Sequence, residues 1–162
     1  MKGLIVIGYQ GIGKSSIGGK YNCIDLESSN FYIDNQRDKD WYKIYCKIAL
    51  DLANQGYVVM TSSHKNVRNY FSNFLNNLPK NIGNIVIFCP RQTQKEQWIE
   101  RLRKRYDKTK SDKDYRALMN AVEMYDMNIG EMTHSKFCCY HPESMNYDLY
   151  DEILYMLYDW CL

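Results

Sequence analysis

The sequence predicts an α/β fold of three layers, in which a mostly parallel, five-stranded sheet lies between helices. Short apolar runs rich in β-branched residues alternate with longer stretches whose apolar residues recur at helical spacing. The first apolar run leads directly into a glycine-rich loop. A charged segment without strand-forming runs, residues 91–132, interrupts the alternation and predicts a helical lid inserted over the carboxyl edge of the sheet.

Five segments have the composition of buried strands. Residues 3–8 are continuously apolar and β-branched, which is the pattern of a strand covered on both faces. The other four predicted strands cover residues 23–26, 57–61, 84–89 and 135–141. Because helical segments separate consecutive strands, we expect parallel neighbours joined by right-handed crossovers.

Helical segments follow the predicted strands. A short helix is expected from Ser15, and longer ones cover residues 39–55, 66–78, 93–106, 112–132 and 147–161. The stretch 39–55 is predicted to place five apolar residues on one face: Trp41, Ile44, Tyr45, Ile48 and Leu52. Gly56 and Pro79 are suitable stops for the helices that precede them.

Length and composition favour a single globular domain, residues 1–162. The chain is 45% hydrophobic and 25% charged, with a net charge of +2 that neither favours nor excludes a polyanionic partner. No apolar run approaches the roughly 20 residues that span a bilayer, and the start lacks signal-peptide features. We therefore expect a soluble cytoplasmic protein, monomeric or homodimeric, without membrane contact.

The six cysteines form no C-x-x-C pair, so the spacing indicates neither a zinc motif nor a redox motif. They are Cys23, Cys46, Cys89, Cys138, Cys139 and Cys161. The first three lie in apolar segments, where reduced thiols commonly pack as small hydrophobic groups.

Residues 8–15 match the phosphate-binding pattern G-x-x-x-x-G-K-[ST] at every fixed position. Glycines let the backbone curl so that its N–H groups point at phosphate oxygens, and the following helix adds its positive N-terminus. Lys14 would bind the β- and γ-phosphates, and the Ser15 hydroxyl would bind Mg²⁺. The predicted nucleotide-binding residues are Gly8, Gly11, Ile12, Gly13, Lys14, Ser15 and Ser16. The alternative is a glycine turn without a ligand.

Two carboxylates, Asp25 and Glu27, come at the end of the second predicted strand and share one face of it. Either could bind Mg²⁺ through water or accept the proton of an acceptor hydroxyl, although both could simply be solvated. The third strand ends without an Asp, which leaves Asp25 as the better candidate, both as a metal ligand with Ser15 and as a catalytic residue.

Polar residues after the third strand are candidates for substrate binding. Ser62 or Ser63 could hold a metal-bound water, and His64 could contact substrate, although a lone histidine is more often structural. Arg68 lies one helical turn further on and could face the same cleft, or could be a surface arginine.

Arginines of the lid form a cationic row. Arg101 and Arg105 are spaced i, i+4 on the predicted helix 93–106, and Arg91 stands at the mouth of the sheet. Arginine binds phosphate bidentately, and a mobile flap could bring these groups to a transferring phosphoryl. We therefore treat Arg101 and Arg105 as catalytic candidates and Arg91 as a substrate-binding candidate. A solvated basic helix face is the alternative.

The P-loop, the acidic second strand and the R-x-x-x-R helix after a fourth strand together resemble the small P-loop kinases, which include nucleoside monophosphate, gluconate and shikimate kinases. The resemblance implies the P-loop NTPase fold, ATP and Mg²⁺ as cofactors, and lid arginines that touch phosphates, a role that Arg101 and Arg105 match. The acidic pair of that family corresponds best to Asp25 and Glu27.

A second resemblance is to small kinases carried by bacteriophages and prophages, some of which are proposed to phosphorylate hydroxymethylpyrimidines, including within DNA. It rests on the segments Ile24–Ser29, Ser62–His64 and Cys89–Leu102. The first helix departs from common nucleotide kinases because it is short and contains Gly18 and Gly19. No clear match exists for the residues that read the acceptor, so the acceptor stays open.

Three functions remain from the sequence. The first is an ATP-dependent transferase, a kinase of a small hydroxyl- or phosphate-bearing acceptor such as a nucleotide or nucleoside. The second is a kinase of a modified base within nucleic acid, for which basic residues and aromatic residues near the cleft would grip a strand. The third is a nucleotide-binding switch without an acceptor, which the missing Asp of the third strand keeps open.

Overall fold

The structure is a computed structural model that describes residues 1–34 and 36–159. Five strands form one parallel sheet, which confirms the predicted fold class. They are β1 Gly3–Gly8, β2 Cys23–Asp25, β3 Val58–Ser62, β4 Ile82–Phe88 and β5 Cys138–Tyr140. Their spatial order is β2-β3-β1-β4-β5.

The central strand β1 is buried over all six of its residues. Since successive side chains of a strand point to opposite faces, this burial means that both faces of the sheet are covered. β1 pairs with β3 on one side and β4 on the other, through partners such as Leu4 with Val58 and Leu4 with Asn84. The loop after β1 therefore emerges at the middle of the carboxyl edge, where ligands of open α/β sheets bind.

Five α-helices accompany the sheet: α1 Trp41–Asn54, α2 Lys65–Ser72, α3 Lys95–Thr109, α4 Asp112–Thr133 and α5 Leu149–Asp159. Helices α3 and α4 pack against each other and lie between β4 and β5 in the chain, where residues 91–132 predict a helical insertion. We call this helix pair the lid, and its action as a lid stays a prediction. Trp160 and Cys161, in the last predicted helix, lie outside the described residues. Within the described residues, no helix has the length and apolar character that crossing a membrane requires.

The helix predicted from Ser15 is a single 3₁₀ turn, Lys14–Ile17. Gly18 leaves the helical region with ψ 124°, and Gly19 takes a left-handed φ of +84°, so the chain turns away before an α-helix develops. A four-residue turn has little macrodipole. The expected contribution of a helix N-terminus to phosphate binding is therefore replaced by that of individual backbone amides.

The buried face of α1 differs from the predicted one. Ile44 is 62% exposed and Ile48 is 37% exposed, while the helix turns Cys46, Ala49 and Ala53 inward. The reason is a close approach to the sheet, because a Cβ on Gly3 would lie 1.8 Å from the carbonyl oxygen of Ala53. Small residues fit that contact and branched isoleucines do not.

Helix α2 ends at Ser72, six residues before the predicted end. The Ser72 hydroxyl donates a hydrogen bond to the Asn69 carbonyl at 2.7 Å, and Asn73 caps the helix. Serine and asparagine side chains compete for backbone hydrogen bonds and favour helix ends. The polar residues before Pro79 therefore form turns instead of helix.

Candidate functional site

A cleft of about 590 Å³ opens at the carboxyl edge of the sheet, between the glycine loop and the lid helix α4. We call it the central cleft. The glycine loop, the ends of β2 and β3, the start of α2 and both lid helices all contribute to its walls. The predicted site residues that line it are Gly11, Gly13, Lys14, Ser15, Asp25, Glu27, Ser62, His64, Arg68 and Arg105.

The glycine loop presents free hydrogen-bond donors to the central cleft. Gly11 and Gly13 take left-handed φ values of +82° and +97°, which only glycine adopts without strain. Within the described residues, the backbone N–H groups of Gly11, Gly13, Lys14 and Ser15 have no hydrogen-bond acceptor. Unpaired amides from one glycine loop at a cleft suit the oxygens of a bound anion.

Lys14 lies among these amides, and its ammonium donates to the Gly8 carbonyl at 2.9 Å. Burial lowers the pKa of Lys14 to about 8, against the charges of Asp25 and Glu27, which act to raise it. The neighbouring cations Lys113 and Arg105 lower it further. The nearby carboxylates therefore do not fully compensate the buried ammonium. A bound phosphate would supply the missing negative charge.

Asp25 and Ser15 bring a carboxylate and a hydroxyl to the same cleft. Burial raises the pKa of Asp25, while the Lys14 charge acts to lower it. Oxygen donors of this kind are the ligands that Mg²⁺ prefers, so these two residues fit a magnesium ion that keeps several of its waters. The hydroxyls of Ser62 and Ser63, which also line the cleft, could bind such waters.

Tyr45 fixes the strand ends that carry these groups. Its hydroxyl donates to the Leu26 carbonyl at 2.7 Å and accepts from the Ser62 amide at 2.8 Å. The side chain itself is fully buried. It therefore joins the end of β2, with its acidic residues, to the end of β3.

Glu27 is bound by the lid. Lys113 of α4 donates to its Oε2 at 2.6 Å, and the Ser29 amide donates to its Oε1 at 3.3 Å. Burial acts to raise the pKa of Glu27, but the Lys113 contact and these hydrogen bonds outweigh burial and lower it. The carboxylate stays ionised and connects the cleft floor to α4.

The two lid arginines are not brought to the same place. Arg105 lines the cleft, where its Nε lies 2.7 Å from Oδ1 of the buried Asp114. Arg101 instead lies over the rings of Trp98 and Tyr147, at 5.0 Å and 5.1 Å from their centroids, and does not line the cleft. Its catalytic role stays a prediction for which this arrangement gives no contact.

Trp98 and Tyr147 fix the glycine loop by donating hydrogen bonds to two of its carbonyls. Trp98 donates its ring N–H to the Gln10 carbonyl at 2.9 Å, and Tyr147 donates its hydroxyl to the Ile12 carbonyl at 2.8 Å. The side chain of Ile12 is 1% exposed, so it anchors the loop in the core. Ile12 does not line the central cleft, and its amide donates to the Tyr9 carbonyl at 3.4 Å, so its role in nucleotide binding stays a prediction for which this arrangement gives no free donor.

The remaining predicted residues lie at the margins. The Ser16 hydroxyl donates to the Gly13 carbonyl at 2.6 Å, and the Gly8 carbonyl accepts from Lys14, so both support the loop. Arg91 lines a separate pocket of about 570 Å³, beside Gln94 and Met145. The structure does not place Arg91 in the central cleft.

The far wall of the central cleft contains His64 and Arg68. Desolvation, followed by the charges of Arg37 and Lys14, lowers the pKa of His64 to about 4, so the ring is neutral near pH 7. Arg68 is buried and donates to the Ser63 carbonyl at 3.1 Å and to Glu131 of α4 at 2.9 Å. Arg68 thus joins the start of α2 to the lid, as Glu27 joins the end of β2 to it.

Sequence reasoning missed Arg37. Its guanidinium carbon lies 4.1 Å from the ring centroids of both Tyr32 and Trp41, and it donates to the Ser28 carbonyl at 3.1 Å. Arg37 lines the central cleft from a loop without periodic pattern. The only sequence signal is an arginine between nearby aromatic residues.

The polar face of α4 was also missed. The helix itself was predicted, but its cleft-facing side chains were not chosen as candidates. They recur three, four or eight residues apart, the spacing of one helical face, and include Lys113, Arg116, Asn120, Asn128 and Glu131. This spacing is a sequence signal that they share one helix face, but it does not say that this face meets the cleft.

No protein-family model and no curated protein sequence matches this chain. A solved structure does: a gluconokinase from Sinorhizobium meliloti 1021 matches with a TM-score of 0.54, over 98% of this chain and 91% of that chain. The two sequences are 13% identical, so the likeness concerns the fold alone. Together with the loop at residues 8–15 and the parallel sheet, it shows that the chain has a kinase-like P-loop NTPase fold.

Proposed function

We propose that the protein is an ATP-dependent phosphotransferase acting with Mg²⁺ on a small hydroxyl- or phosphate-bearing acceptor, of the nucleotide or nucleoside class. One observation carries the proposal. Lys14, Ser15 and Asp25 share a cleft with basic side chains of the lid, Arg105, Lys113 and Arg116. A site that only held a nucleotide would not require these additional cations beside the phosphate-binding loop.

The glycine loop would bind the phosphates of the donor. Its free amides donate to phosphate oxygens, and Lys14 adds a positive charge beside them. Ser15 and Asp25 would hold Mg²⁺, which supplies charge neutralisation at the phosphates when bound. Trp98 and Tyr147 keep the loop in this shape through their bonds to its carbonyls.

The lid would stabilise the charge that spreads over the phosphoryl group in transfer. Arg105 of α3 and Lys113 and Arg116 of α4 line the cleft together with the glycine loop. Preorganised cations in a site that excludes water are worth more than the same charges in bulk solvent. The contacts of Glu27 with Lys113 and of Glu131 with Arg68 keep this wall closed.

The acceptor would lie between the end of β2 and the start of α2. Glu27, Ser62, His64 and Arg68 border this region, and Arg37 adds a cation that the sequence did not indicate. The closed contact of α4 with the cleft floor favours an acceptor small enough to be enclosed over a base within a nucleic acid strand. A neutral His64 would offer a hydrogen bond to a hydroxyl without adding charge.

The experiment is a transfer assay with labelled ATP, Mg²⁺ and a panel of nucleosides, nucleotides and sugars. We expect transfer to at least one acceptor by the native protein, and a loss of about 100- to 1,000-fold in Lys14→Ala. Lys20→Ala is the matched control, since this exposed lysine of the same region does not line the cleft. It should transfer at the native rate.

Transfer by Lys14→Ala at the native rate would overturn the proposal. So would calorimetry that shows no binding of nucleotide with Mg²⁺ at millimolar concentration. Tight nucleotide binding without transfer to any acceptor would instead favour a nucleotide-binding switch.

A further inference from the structure

A cluster of two cysteines and one histidine lies at the carboxyl ends of β4 and β5, and none of its members lines the central cleft. Cys89 directly follows β4, Cys139 lies in β5, and His141 directly follows β5. The sulfur atoms of Cys89 and Cys139 are 3.5 Å apart, and Cys89 Sγ is 3.9 Å from His141 Nδ1. One potential ligand atom from each residue lies within 4.8 Å of the others.

Backbone pairing holds the three side chains together. The Cys89 amide donates to the Tyr140 carbonyl at 3.1 Å, which extends the β4–β5 ladder by one step. Cys139 and His141 are two residues apart on an extended chain, so both point to the side of the sheet where Cys89 lies. The intervening position therefore points elsewhere, as does the exposed Cys138 on the other side of Cys139.

The separations fit one metal ion. In tetrahedral coordination with Zn–S near 2.3 Å and Zn–N near 2.0 Å, two sulfur ligands lie about 3.8 Å apart and a sulfur and a nitrogen about 3.5 Å apart. The observed 3.5 Å and 3.9 Å differ from these values by a few tenths of an ångström. Small side-chain rotations would cover that difference without moving the paired strands.

We propose that Cys89, Cys139 and His141 form a binding site for a single zinc ion. Thiolate and imidazole ligands select zinc over magnesium, which prefers oxygen, so the site is chemically distinct from Ser15 and Asp25. Three protein ligands leave one position for water. Binding requires both cysteines as thiolates and His141 Nδ1 without its proton, so the protons that these groups carry leave to solvent, and the ion replaces the present contact of His141 Nδ1 with the Cys89 carbonyl.

Burial supports a site that is preformed yet reachable. Cys89 is fully buried, while Cys139 and His141 are half-buried, so one side of the cluster opens toward solvent. A bound ion would join the end of β4 to the segment that leads into α5. No sequence motif indicates this site, because the ligands come from the ends of two strands that the whole lid separates along the chain.

The test is a titration of the reduced, metal-stripped full-length protein with Co²⁺ alone, without nucleotide. We expect one equivalent to bind with a thiolate-to-cobalt charge-transfer band, and one equivalent of Zn²⁺ to remove the band. Cys139→Ser and His141→Ala should each weaken binding at least tenfold, with folding checked by circular dichroism. Cys138→Ser, which changes the adjacent exposed thiol, should bind as the native protein does.

The proposal fails if the reduced native protein shows no charge-transfer band. It also fails if Cys139→Ser binds Co²⁺ as tightly as the native protein with a band of the same intensity, or if Cys138→Ser loses the band, because the metal would then be held by other thiols. Lys14→Ala should bind Co²⁺ like the native protein. The outcome is therefore separable from that of the phosphotransfer assay.

Discussion

The ammonium group of Lys14 lies in surroundings that favour the neutral amine. Burial lowers its pKa to about 8, and the two nearby carboxylates only partly oppose that effect. In the free protein, the Gly8 carbonyl accepts its hydrogen bond. The residue is thus poised to gain a proton when a polyanion arrives, which links phosphate binding to pH.

We predict that nucleotide binding takes up a proton above about pH 8. A bound polyphosphate raises the pKa of Lys14 toward its ordinary value of 10.5, so between these two values the free protein is largely neutral there and the complex is charged. Below pH 8 both forms are charged and uptake disappears. Calorimetry at pH 7 and pH 9, in buffers that differ in ionisation enthalpy, measures it.

Lys14→Arg is the control for this linkage, because arginine stays charged throughout the range. It should bind nucleotide without proton uptake at pH 9. Equal uptake by the native protein and by Lys14→Arg would assign the effect to another group and contradict the prediction.

Gly8 is a second residue whose substitution has a defined consequence. A Cβ there would lie 2.4 Å from Ile12 Cδ1 and 3.0 Å from Lys14 Cδ, so Gly8→Ala must displace the lysine or the Ile12 side chain, which is packed in the core. We predict a loss of nucleotide affinity of about tenfold or more, equivalent to about 1.4 kcal/mol. Fluorescence or calorimetric titration with ATP and Mg²⁺ measures it.

Gly18→Ala provides the comparison at the other end of this segment, directly after the 3₁₀ turn. The nearest atom to a Cβ at Gly18 is the Ser15 carbonyl oxygen at 3.5 Å, and its φ of −55° suits alanine. Affinity should stay within about twofold of the native value. A loss equal to that of Gly8→Ala would show that the turn, and not the crowded lysine, is the sensitive feature.

At the level of elements, the sequence predicted all five strands and the two lid helices. The strands were visible because burial on both faces leaves an uninterrupted apolar run, as in β1. The prediction of a helix after the glycine loop was wrong. The motif is usually followed by an α-helix, but here Gly18 and Gly19 end the helical conformation after one 3₁₀ turn. The predicted buried face of α1 was wrong because the close contact of Ala53 with Gly3 depends on tertiary packing, which local spacing does not show.

In the lid, too, the positions of the helices were predictable from the sequence, but their contacts with the cleft were not. Turn residues and apolar spacing located α3 and α4, but no local pattern says which polar face of α4 meets the cleft. That face is selected by partners from distant elements, Glu27 for Lys113 and Arg68 for Glu131. The separation of Arg101 from Arg105 has a similar origin, since Tyr147 packs on Arg101 from beyond β5.

We predict that Glu131→Gln loosens the attachment of α4. Arg68 has a side chain that is 9% exposed, and Glu131 neutralises it at 2.9 Å from a position that is 31% exposed. The change would leave a buried guanidinium without its counter-charge, at a cost of about 1–2 kcal/mol, between the values for surface and buried pairs. Urea unfolding measures the difference.

Glu123→Gln is the matched control on the same helix, because this glutamate is exposed and forms no ion pair within the described residues. Its stability should stay within about 0.5 kcal/mol of the native protein. Equal stability of Glu131→Gln and Glu123→Gln would mean that the Arg68 contact does not attach the lid.

Charge is distributed unevenly over the whole molecule. The chain has a net charge of +2, yet seven basic side chains and four carboxylates line the central cleft. The sequence could not show this, because the cations come from the glycine loop, the loop at Arg37, α2, α3 and α4. Folding converts a nearly neutral chain into one with a concentrated positive field at a single opening.

Substitution of Arg116 tests whether this positive field contributes to nucleotide binding. Arg116 lines the cleft and forms no ion pair in the part of the chain that the structure describes. We predict that Arg116→Gln lowers ATP affinity about five- to tenfold at 50 mM salt, and that the deficit narrows at 1 M salt, where the screening length is about 3 Å. Arg103→Gln, an exposed lid arginine 3.7 Å from Glu100, should change affinity little at either concentration. Equal losses in both variants would mean that net charge, and not its concentration at the cleft, governs binding. A deficit that does not change with salt would instead assign Arg116 a direct, desolvated contact with the nucleotide.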